Sequence, residues 1–208
     1  MTPLARNRRR LVTVLGLSPL AAGLSSAFAA GHCGPTGAAT AGPFYVRNTD
    51  LLANINPRRA PGTPMRVEGT VFGGADGRQP LAGAVVEIWH CDDHGDYHPN
   101  GSGDVSRYDP QQINLRGMSL TNVEGHYHFD SIVPGHYGNR RRHIHWRIVA
   151  DGHQPLVTQS YWADERGSAR ERRDGVDRDP EDCRWVRFEA DGSGVHLGRF
   201  DIVLTPLA

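Results

Sequence analysis

The stretch HIHWRIV at residues 143–149 alternates polar with large apolar side chains over six consecutive positions. Successive side chains of a strand point to opposite faces of its sheet, so His143 and His145 project together while Ile144 and Trp146 project the other way. The pattern therefore predicts a strand that packs Ile144 and Trp146 into a core and carries both histidines on its second face.

Other short segments on both sides of this strand are also rich in β-forming residues. The 25 glycines and 14 prolines divide the chain at short intervals, and no long segment has a helical pattern. Residues 119–129, with a turn at 122–125, predict one hairpin, and residues 185–204, with a turn at 191–192, predict another. The sequence therefore predicts an all-β chain that folds as an antiparallel β-sandwich with long loops.

The N-terminal residues are predicted to be a targeting segment. The arginine cluster Arg8-Arg9-Arg10 precedes mildly apolar residues 11–24 and an A-x-A cleavage site at Ala27-Phe28-Ala29. This order predicts a twin-arginine-type signal peptide, with an ordinary secretory signal as the alternative, so we expect a periplasmic or extracellular protein. The apolar residues are too few and too interrupted for a stable membrane anchor. The predicted organisation is a signal peptide at residues 1–30, an irregular N-terminal arm at residues 31–64 and one domain at residues 65–208.

Charge and cysteine content restrict the partners and the cross-links. Lys and Arg total 23, as do Asp and Glu, so the chain has no general attraction to nucleic acid. Three cysteines allow at most one internal disulfide, and their spacings fit no zinc motif. A bond between Cys33 and Cys183 would join the two ends of the mature domain, but the sequence leaves the pairing open, as it does homo-oligomer formation.

His143 and His145 form a candidate chelating pair for a transition metal, because their imidazoles project side by side. An H-x-H triplet alone is weak evidence, since it also occurs on surface strands and in cupin-type metal barrels. Two tyrosines accompany the pair: Tyr97 lies in the loop after a predicted strand at residues 84–89, and Tyr137 lies shortly before the histidines. The tyrosines strengthen the prediction of a metal site.

The joint pattern resembles the intradiol ring-cleavage dioxygenases, and more closely their protocatechuate 3,4-dioxygenase branch. The likeness extends over about residues 40–162 and includes the upstream segment Thr40-Ala41-Gly42-Pro43-Phe44-Tyr45. Its specific elements are Trp89-x7-Tyr97, Pro134-Gly135-x-Tyr137 and Arg140-x-x-His143-x-His145.

By this resemblance the chain holds one non-haem Fe(III), with Tyr97, Tyr137, His143 and His145 as its protein ligands. The chemistry of the donors agrees, because phenolates are hard anions that stabilise the ferric state. Binding to the cation also lowers a tyrosine pKa from its usual ~10 into the working range.

The resemblance further implies a substrate and a reaction. The substrate is a small catechol-type aromatic diol, which O2 cleaves between its two hydroxyl-bearing carbons to a cis,cis-muconate derivative. Tyr137 is the ligand that the arriving diol displaces, Arg140 stabilises the negative charge that develops on the diol, and Gln159 lies close to it. Only five residues separate Tyr137 from His143, fewer than in well-known members, so we expect a more open pocket and do not transfer a particular substrate.

Charged residues near these positions are expected to be solvated. Arg141 and Arg142 belong to an arginine-rich loop, and the charge-rich residues 163–183 have the composition of a surface excursion.

Two alternatives come from other classes of protein. Strands and turns such as Gly125-x-Tyr127-x-Phe129 also resemble transthyretin-type and carboxypeptidase-regulatory-type modules, so the predicted sandwich is of the transthyretin type. Those modules are non-catalytic binding domains. That likeness does not account for Tyr97, nor for Arg140 with the two histidines. The second alternative is a cupin-like metalloenzyme that uses His143 and His145 with a carboxylate.

The targeting prediction is tested by N-terminal sequencing of the exported protein. We expect cleavage near Ala29 or Ala30, and we expect Arg8→Lys combined with Arg9→Lys to block export if the twin-arginine route is used. A cytoplasmic protein that begins at Met1 would contradict the prediction.

Overall fold

The computed structural model describes residues 33–208, so the predicted signal peptide lies outside the described residues. In this part of the chain no helix combines the length and the apolar composition needed to cross a membrane. The helical elements are α1 (Ala169–Arg173) and single 3₁₀ turns at Val105–Arg107, Pro110–Gln112, Ala163–Glu165 and Asp182–Arg184. The strands are β1 (Val46–Arg47), β2 (Pro64–Gly73), β3 (Gln79–Pro80), β4 (Val85–Trp89), β5 (Gly103–Asp104), β6 (Arg116–Leu120), β7 (His126–Ile132), β8 (His143–Val149), β9 (Leu156–Trp162), β10 (Trp185–Val186), β11 (Phe188–Ala190), β12 (His196–Arg199) and β13 (Ile202–Val203).

Two sheets contain most of these strands. One has five strands in the order β10-β9-β8-β4-β6, and the other has six, with β2 paired to β3, β7, β12 and β13. The all-β prediction is confirmed. The long strands pair antiparallel as predicted, but β10 lies parallel to β9, and β12 and β13 lie parallel to β2. Long connections separate these short strands from their partners in the chain. Such connections allow parallel pairing, whereas a two-residue turn allows only antiparallel pairing. The closer assignment to a transthyretin-type sandwich stays a prediction.

The turn at residues 122–125 connects the two sheets. The prediction that residues 119–129 form a hairpin is wrong, because β6 pairs with β4 while β7 pairs with β2. The side-chain oxygen of Asn122 accepts the backbone N–H groups of Glu124 and His126 at 3.1 and 2.8 Å, which closes the turn locally. The predicted C-terminal hairpin is confirmed by the antiparallel pairing of β11 with β12.

Trp146 of β8 lies at the centre of the core shared by the two sheets. It is completely buried and packs against Tyr127, Phe129 and Phe200, with ring centroids 5.7, 6.2 and 5.4 Å away. Its indole N–H donates to the hydroxyl of Ser160 at 2.9 Å, which satisfies the only polar group of the side chain. The core thereby fixes the position of β8.

The N-terminal arm is held against β9 and the long connection that follows it. The backbone N–H of Ala39 donates to the carbonyl of Val157 at 2.9 Å, and the hydroxyl of Thr158 donates to the carbonyl of Gly37 at 2.6 Å. A disulfide joins Cys33 to Cys183. The arm therefore lies beside the face of the five-stranded sheet that carries the two histidines.

Protonation of one buried histidine should make the fold sensitive to acid. His90 is completely buried, donates from Nδ1 to the Cys91 carbonyl at 2.7 Å and accepts from the Ser131 hydroxyl at 2.8 Å. Burial lowers its pKa from 6.5 to about 4. The unfolded chain then binds a proton that the folded chain does not, so the contribution of His90 to stability is complete above pH 6.5 and is lost as the pH falls towards 4.

The wild type should lose stability as the pH falls from about 7 to about 5, and we expect this loss to be smaller in His90→Gln by roughly 2 kcal/mol. Urea unfolding at the two pH values measures this loss. His94→Gln is the matched control, because the His94 side chain is 75% exposed. An acid-dependent loss in His90→Gln as large as in the wild type would contradict the prediction.

Candidate metal centre

The register of the five-stranded sheet brings the predicted site residues onto one face. On β8, His145 pairs with Trp89 of β4 on one side and with Gln159 of β9 on the other. His143 lies one step further along the same face and pairs with Tyr161 of β9. Because residues two apart share a face, a single patch of the sheet carries both histidines and the predicted Gln159.

Three possible metal donors converge above this patch. The hydroxyl of Tyr97 lies 3.3 Å from Nε2 of His143 and 3.2 Å from Nε2 of His145. All three side chains are buried, with at most 4% of each residue exposed. Donor atoms bonded to one cation at ~2 Å lie about 3 Å from each other, so this spacing fits a shared metal ion.

The protonation states of the histidines also fit metal binding. Nδ1 of His143 donates to the Arg141 carbonyl at 2.8 Å, which leaves the lone pair of Nε2 directed at Tyr97. Burial, followed by the charge of Arg140, lowers the pKa of His143 to about 3. Burial and the neighbouring His143 lower the pKa of His145 as well. Both imidazoles are therefore neutral near pH 7 and can act as donors.

Nδ1 of His145 is buried and has no hydrogen-bond partner of good geometry among the described residues. The backbone of Thr40, in the N-terminal arm, nevertheless acts to raise the pKa of His145 against the effect of burial. The arm therefore lies near this imidazole without fixing its orientation through a full hydrogen bond.

Burial raises the pKa of Tyr97 far above its usual value. Arg140 and Arg116 oppose that rise, since both bring positive charge close to the phenol. Arg116 is almost completely buried and donates to the carbonyls of Phe44 and His98, each at 2.7 Å. The Tyr97 phenol thus lies in a cavity that excludes water but already contains positive charge, and a bound cation would favour the phenolate further.

An aromatic frame orients these donors. Phe44 of the arm stacks on the Tyr97 ring at 4.3 Å, and Trp89 stacks on the His145 ring at 5.0 Å. Tyr137 meets the Tyr97 ring edge-on at 5.6 Å, and 36% of its surface is exposed. The structure thus brings the fourth predicted ligand beside the other three through ring contacts, and it is the most accessible of the four.

The loops that carry the two tyrosines touch through their backbones at two glycines. A Cβ on Gly135 would lie 2.2 Å from the carbonyl oxygen of Asp93, and a Cβ on Gly95 would lie 2.4 Å from that of His136. The backbone N–H of Gly135 also donates to the Asp92 carbonyl at 2.7 Å. Only residues without a side chain permit this approach, which fixes the two loops relative to each other.

Arg140 is held beside the donors by two partners. Its Nε donates to both carboxylate oxygens of Asp174 at 2.8 and 2.9 Å, and its Nη2 donates to Oε1 of Gln159 at 2.6 Å. Nε2 of Gln159 in turn donates to the Thr40 carbonyl at 2.7 Å. The structure therefore joins Arg140 and Gln159, which were chosen separately from the sequence, in one hydrogen-bonded chain.

The expectation that Arg141 and Arg142 are solvated is wrong. Arg141 is completely buried, with its guanidinium 4.2 Å from the centre of the Tyr161 ring and 5.1 Å from that of Trp185. Arg142 is partly buried, and its backbone N–H donates to a carboxylate oxygen of Glu165 at 2.9 Å. Both arginines are covered because the chain after β9 folds back over them.

This covering segment was expected to be a surface excursion, which holds for exposed charges such as Asp182 but not for the residues that contact the arginines. Asp174 and Arg184 are buried, each with 3% of its surface exposed. Asp177 accepts from the Tyr161 hydroxyl and from Nη1 of Arg184, both at 2.6 Å. The buried and partly buried carboxylates of this segment thus pair with arginines of the segment and of the arginine-rich loop, and pairing is what allows charged groups to be buried.

Several residues of the site were not identified as functional from the sequence. Phe44 belongs to the upstream segment that carried the resemblance, but nothing in its neighbourhood indicated a stack on Tyr97. Trp89 was named only as part of the Trp89-x7-Tyr97 element, and its stack on His145 depends on cross-strand register. Asp174 has no distinguishing signal within a charge-rich segment.

An all-β protein that directs two imidazoles and one buried phenol at a single point has the donor set of a mononuclear metal-binding protein. A family model described as Dioxygenase matches residues 40–170. The chain belongs to the intradiol ring-cleavage dioxygenase family.

Individual relatives agree with this assignment. Catechol 1,2-dioxygenase 2 of Acinetobacter lwoffii is 35% identical over 153 residues, which cover 62% of this chain and 52% of the relative. The 6-chlorohydroxyquinol 1,2-dioxygenase of Cupriavidus pinatubonensis is 32% identical over 216 residues, which cover 94% of this chain and 73% of the relative. The crystal structure of catechol 1,2-dioxygenase from Pseudomonas arvilla C-1 superposes with a TM-score of 0.66 at 27% identity, over 82% of this chain and 62% of that one.

The chain spans about half the length of several of the relatives that it matches, with coverage of 48%, 52% and 43%. The family prediction is confirmed. The closer likeness to the protocatechuate branch stays a prediction, because these relatives are named as catechol and hydroxyquinol dioxygenases.

The contact between the two tyrosine loops can be tested at Gly135. Gly135→Ala forces Cβ against the Asp93 carbonyl, so the loops must separate, and we expect a stability loss of about 1–3 kcal/mol together with weaker iron uptake. Thermal unfolding and iron content after loading measure the two effects. Gly192→Ala is the control, since a Cβ there meets no atom within 4 Å. Wild-type iron uptake by Gly135→Ala would contradict this account.

Proposed function

We propose that this chain is an iron-dependent enzyme that opens catechol-type rings between the two hydroxyl-bearing carbons, using O2 and yielding a cis,cis-muconate derivative. The observation that carries the proposal is the convergence of the Tyr97 hydroxyl with Nε2 of His143 and Nε2 of His145 at 3.2–3.3 Å. Family membership supports the type of reaction.

The donor set fits a ferric ion. Tyr97 and Tyr137 supply hard anionic oxygens, and His143 and His145 supply neutral nitrogens. Among residues 33–208 no group of three or more His, Cys, Asp or Glu side chains is placed to hold a metal, so the described residues give no support to a cupin-like site of two histidines and a carboxylate. The chemistry that Fe(III) would supply at these four residues is that of a Lewis acid, which withdraws electron density from the ring of a bound diol and prepares it to react with O2.

The side chains around the donors supply binding, orientation and charge. Arg140 presents a guanidinium that stays protonated at any working pH, so it can offset negative charge on the diol without titrating. Gln159 fixes one edge of that guanidinium. Phe44 and Trp89 cover the rings of Tyr97 and His145 and keep water away from the donor atoms.

Tyr137 differs from the other three proposed ligands in its exposure. Its ring is 36% exposed, whereas Tyr97, His143 and His145 are buried. Because its movement disturbs no core packing, we assign it as the ligand that gives way when a diol arrives. The short connection to His143 leaves this side of the site open. This supports a preference for catechols whose binding does not require the protein to enclose a ring substituent tightly.

We also propose that the protein works outside the cytoplasm. The arginine cluster and cleavage site in the sequence carry this proposal, and the disulfide between Cys33 and Cys183 supports it, because structural disulfides persist in oxidising compartments.

The function is tested by loading the wild-type protein with iron and recording iron content, visible spectrum and O2 uptake with a panel of catechols. We expect a coloured protein, because phenolates transfer charge to Fe(III), and a ring-opened dicarboxylate as product. Tyr97→Phe keeps the ring and its stack on Phe44 but removes one donor oxygen, so it should shift or abolish the colour and the turnover. His143→Ala should lose iron.

Tyr108→Phe makes the same chemical change away from the site, where the Tyr108 hydroxyl donates to the Ser102 carbonyl, and it should behave as the wild type. Full iron content and an unchanged spectrum in both site variants would overturn the ligand assignment. A coloured wild-type protein that consumes no O2 with any catechol would overturn the proposed reaction.

A further inference from the structure

Asp174 is a buried carboxylate that reaches the proposed reaction site from outside the residues that the family model matches. It follows α1 directly, four residues beyond the last position matched by the family model, and its side chain is 0% exposed. Both of its oxygens accept from Nε of Arg140. A buried carboxylate must be paired, and the shortest ion pair of Asp174 is with Arg140, the arginine assigned to stabilise charge on the substrate.

Asp174 is itself held rigidly. Its Oδ2 accepts the backbone N–H of Arg141 at 3.2 Å and lies 3.5 Å from Nε of the same residue. Its Oδ1 accepts the backbone N–H of Val176 at 3.2 Å. The carboxylate therefore cannot rotate freely, and it offers Arg140 a fixed pair of acceptors.

The guanidinium of Arg140 is constrained from two directions. Asp174 binds Nε, and Gln159 binds Nη2, so the plane of the group is set. An arginine side chain left free would populate many rotamers, and only some of them would place its charge beside the donors. Arg141 shares the carboxylate and also lies 3.7 Å from a carboxylate oxygen of Glu171, so Asp174 orients Arg140 while dividing its charge between two guanidinium groups.

We propose that Asp174 is the positioning residue for Arg140, and that it raises the turnover rate by holding the guanidinium where charge develops on the ring. This inference rests on the proposed function. Interactions preorganised towards developing charge lower the barrier to reaction more than they tighten substrate binding. The effect of losing Asp174 should therefore appear in kcat rather than in KM.

The decisive experiment is a double-mutant cycle on the iron-loaded protein. Asp174→Asn keeps the size of the side chain but removes its charge and one acceptor, so we expect kcat to fall by about 10- to 100-fold, less than the ~10²–10³ typical of losing a charge-stabilising donor outright. Iron content, KM and the dissociation constant of catechol, measured anaerobically from the visible spectrum, should change by less than about threefold.

Arg140→Met should lower kcat further, and combining it with Asp174→Asn should add no loss, because Asp174 acts only through Arg140. The matched control is Asp182→Asn, which removes the same charge from the same segment at a side chain that is 82% exposed, and it should leave kcat unchanged.

Losses in kcat that multiply in the double variant would overturn the proposal and make Asp174 a structural residue. So would a fall in catechol affinity at unchanged kcat. If Asp174→Asn does not fold, Asp174→Glu keeps the charge but moves it by one methylene, and the same cycle with Arg140→Met applies. Failure of the proposed function is a separate result, because it appears as a wild-type protein that does not turn over any catechol.

Discussion

The two-residue period of strand β8 is the constraint on which the site depends. Ile144 and Trp146 are buried between the sheets, and this packing directs His143 and His145 to the opposite face. A shift of one residue in register would exchange the two sets, placing imidazoles in the apolar core and an indole at the site. The hydrophobic energy that stabilises the fold therefore also orients the donors, because one strand carries both sets of side chains.

Charge imposes the second constraint, since the site concentrates arginines where water is excluded. Arg116 is satisfied by backbone carbonyls, whereas Arg140 and Arg141 share Asp174. Pairing with a carboxylate offsets the cost of burying such cations, and the carboxylate comes from a distant part of the sequence, although Nε and Nη1 of Arg141 make no hydrogen bond among the described residues. The connection between β9 and β10 supplies the carboxylates, and the disulfide to Cys33 joins that connection to the N-terminal arm.

The sequence alone predicted the features that depend on residues close to one another in the chain. Alternation along residues 143–149 predicted the strand and its histidine face, and short β-type segments predicted an all-β fold. The sequence did not predict the features that depend on strand pairing or ion pairing between residues far apart in the chain. Composition alone could not distinguish the buried Asp174 from exposed carboxylates such as Asp182, because burial of a charge depends on which arginine the fold brings to it. The hairpin predicted at residues 119–129 failed for a related reason, since a turn sequence does not specify which sheet receives the next strand.

The close approach of the two tyrosine loops determines which kind of motion Tyr137 can make. On its N-terminal side the backbone is pressed against Gly95 and Asp93, and on its C-terminal side its own carbonyl accepts the N–H of Arg140 at 2.9 Å. With the main chain fixed at both ends, the phenol can leave or return only by rotating about its side-chain torsions. Exposed rotamers exchange in picoseconds to nanoseconds, whereas collective lid opening takes microseconds or longer, so the movement proposed for Tyr137 would need no slow rearrangement of its loop.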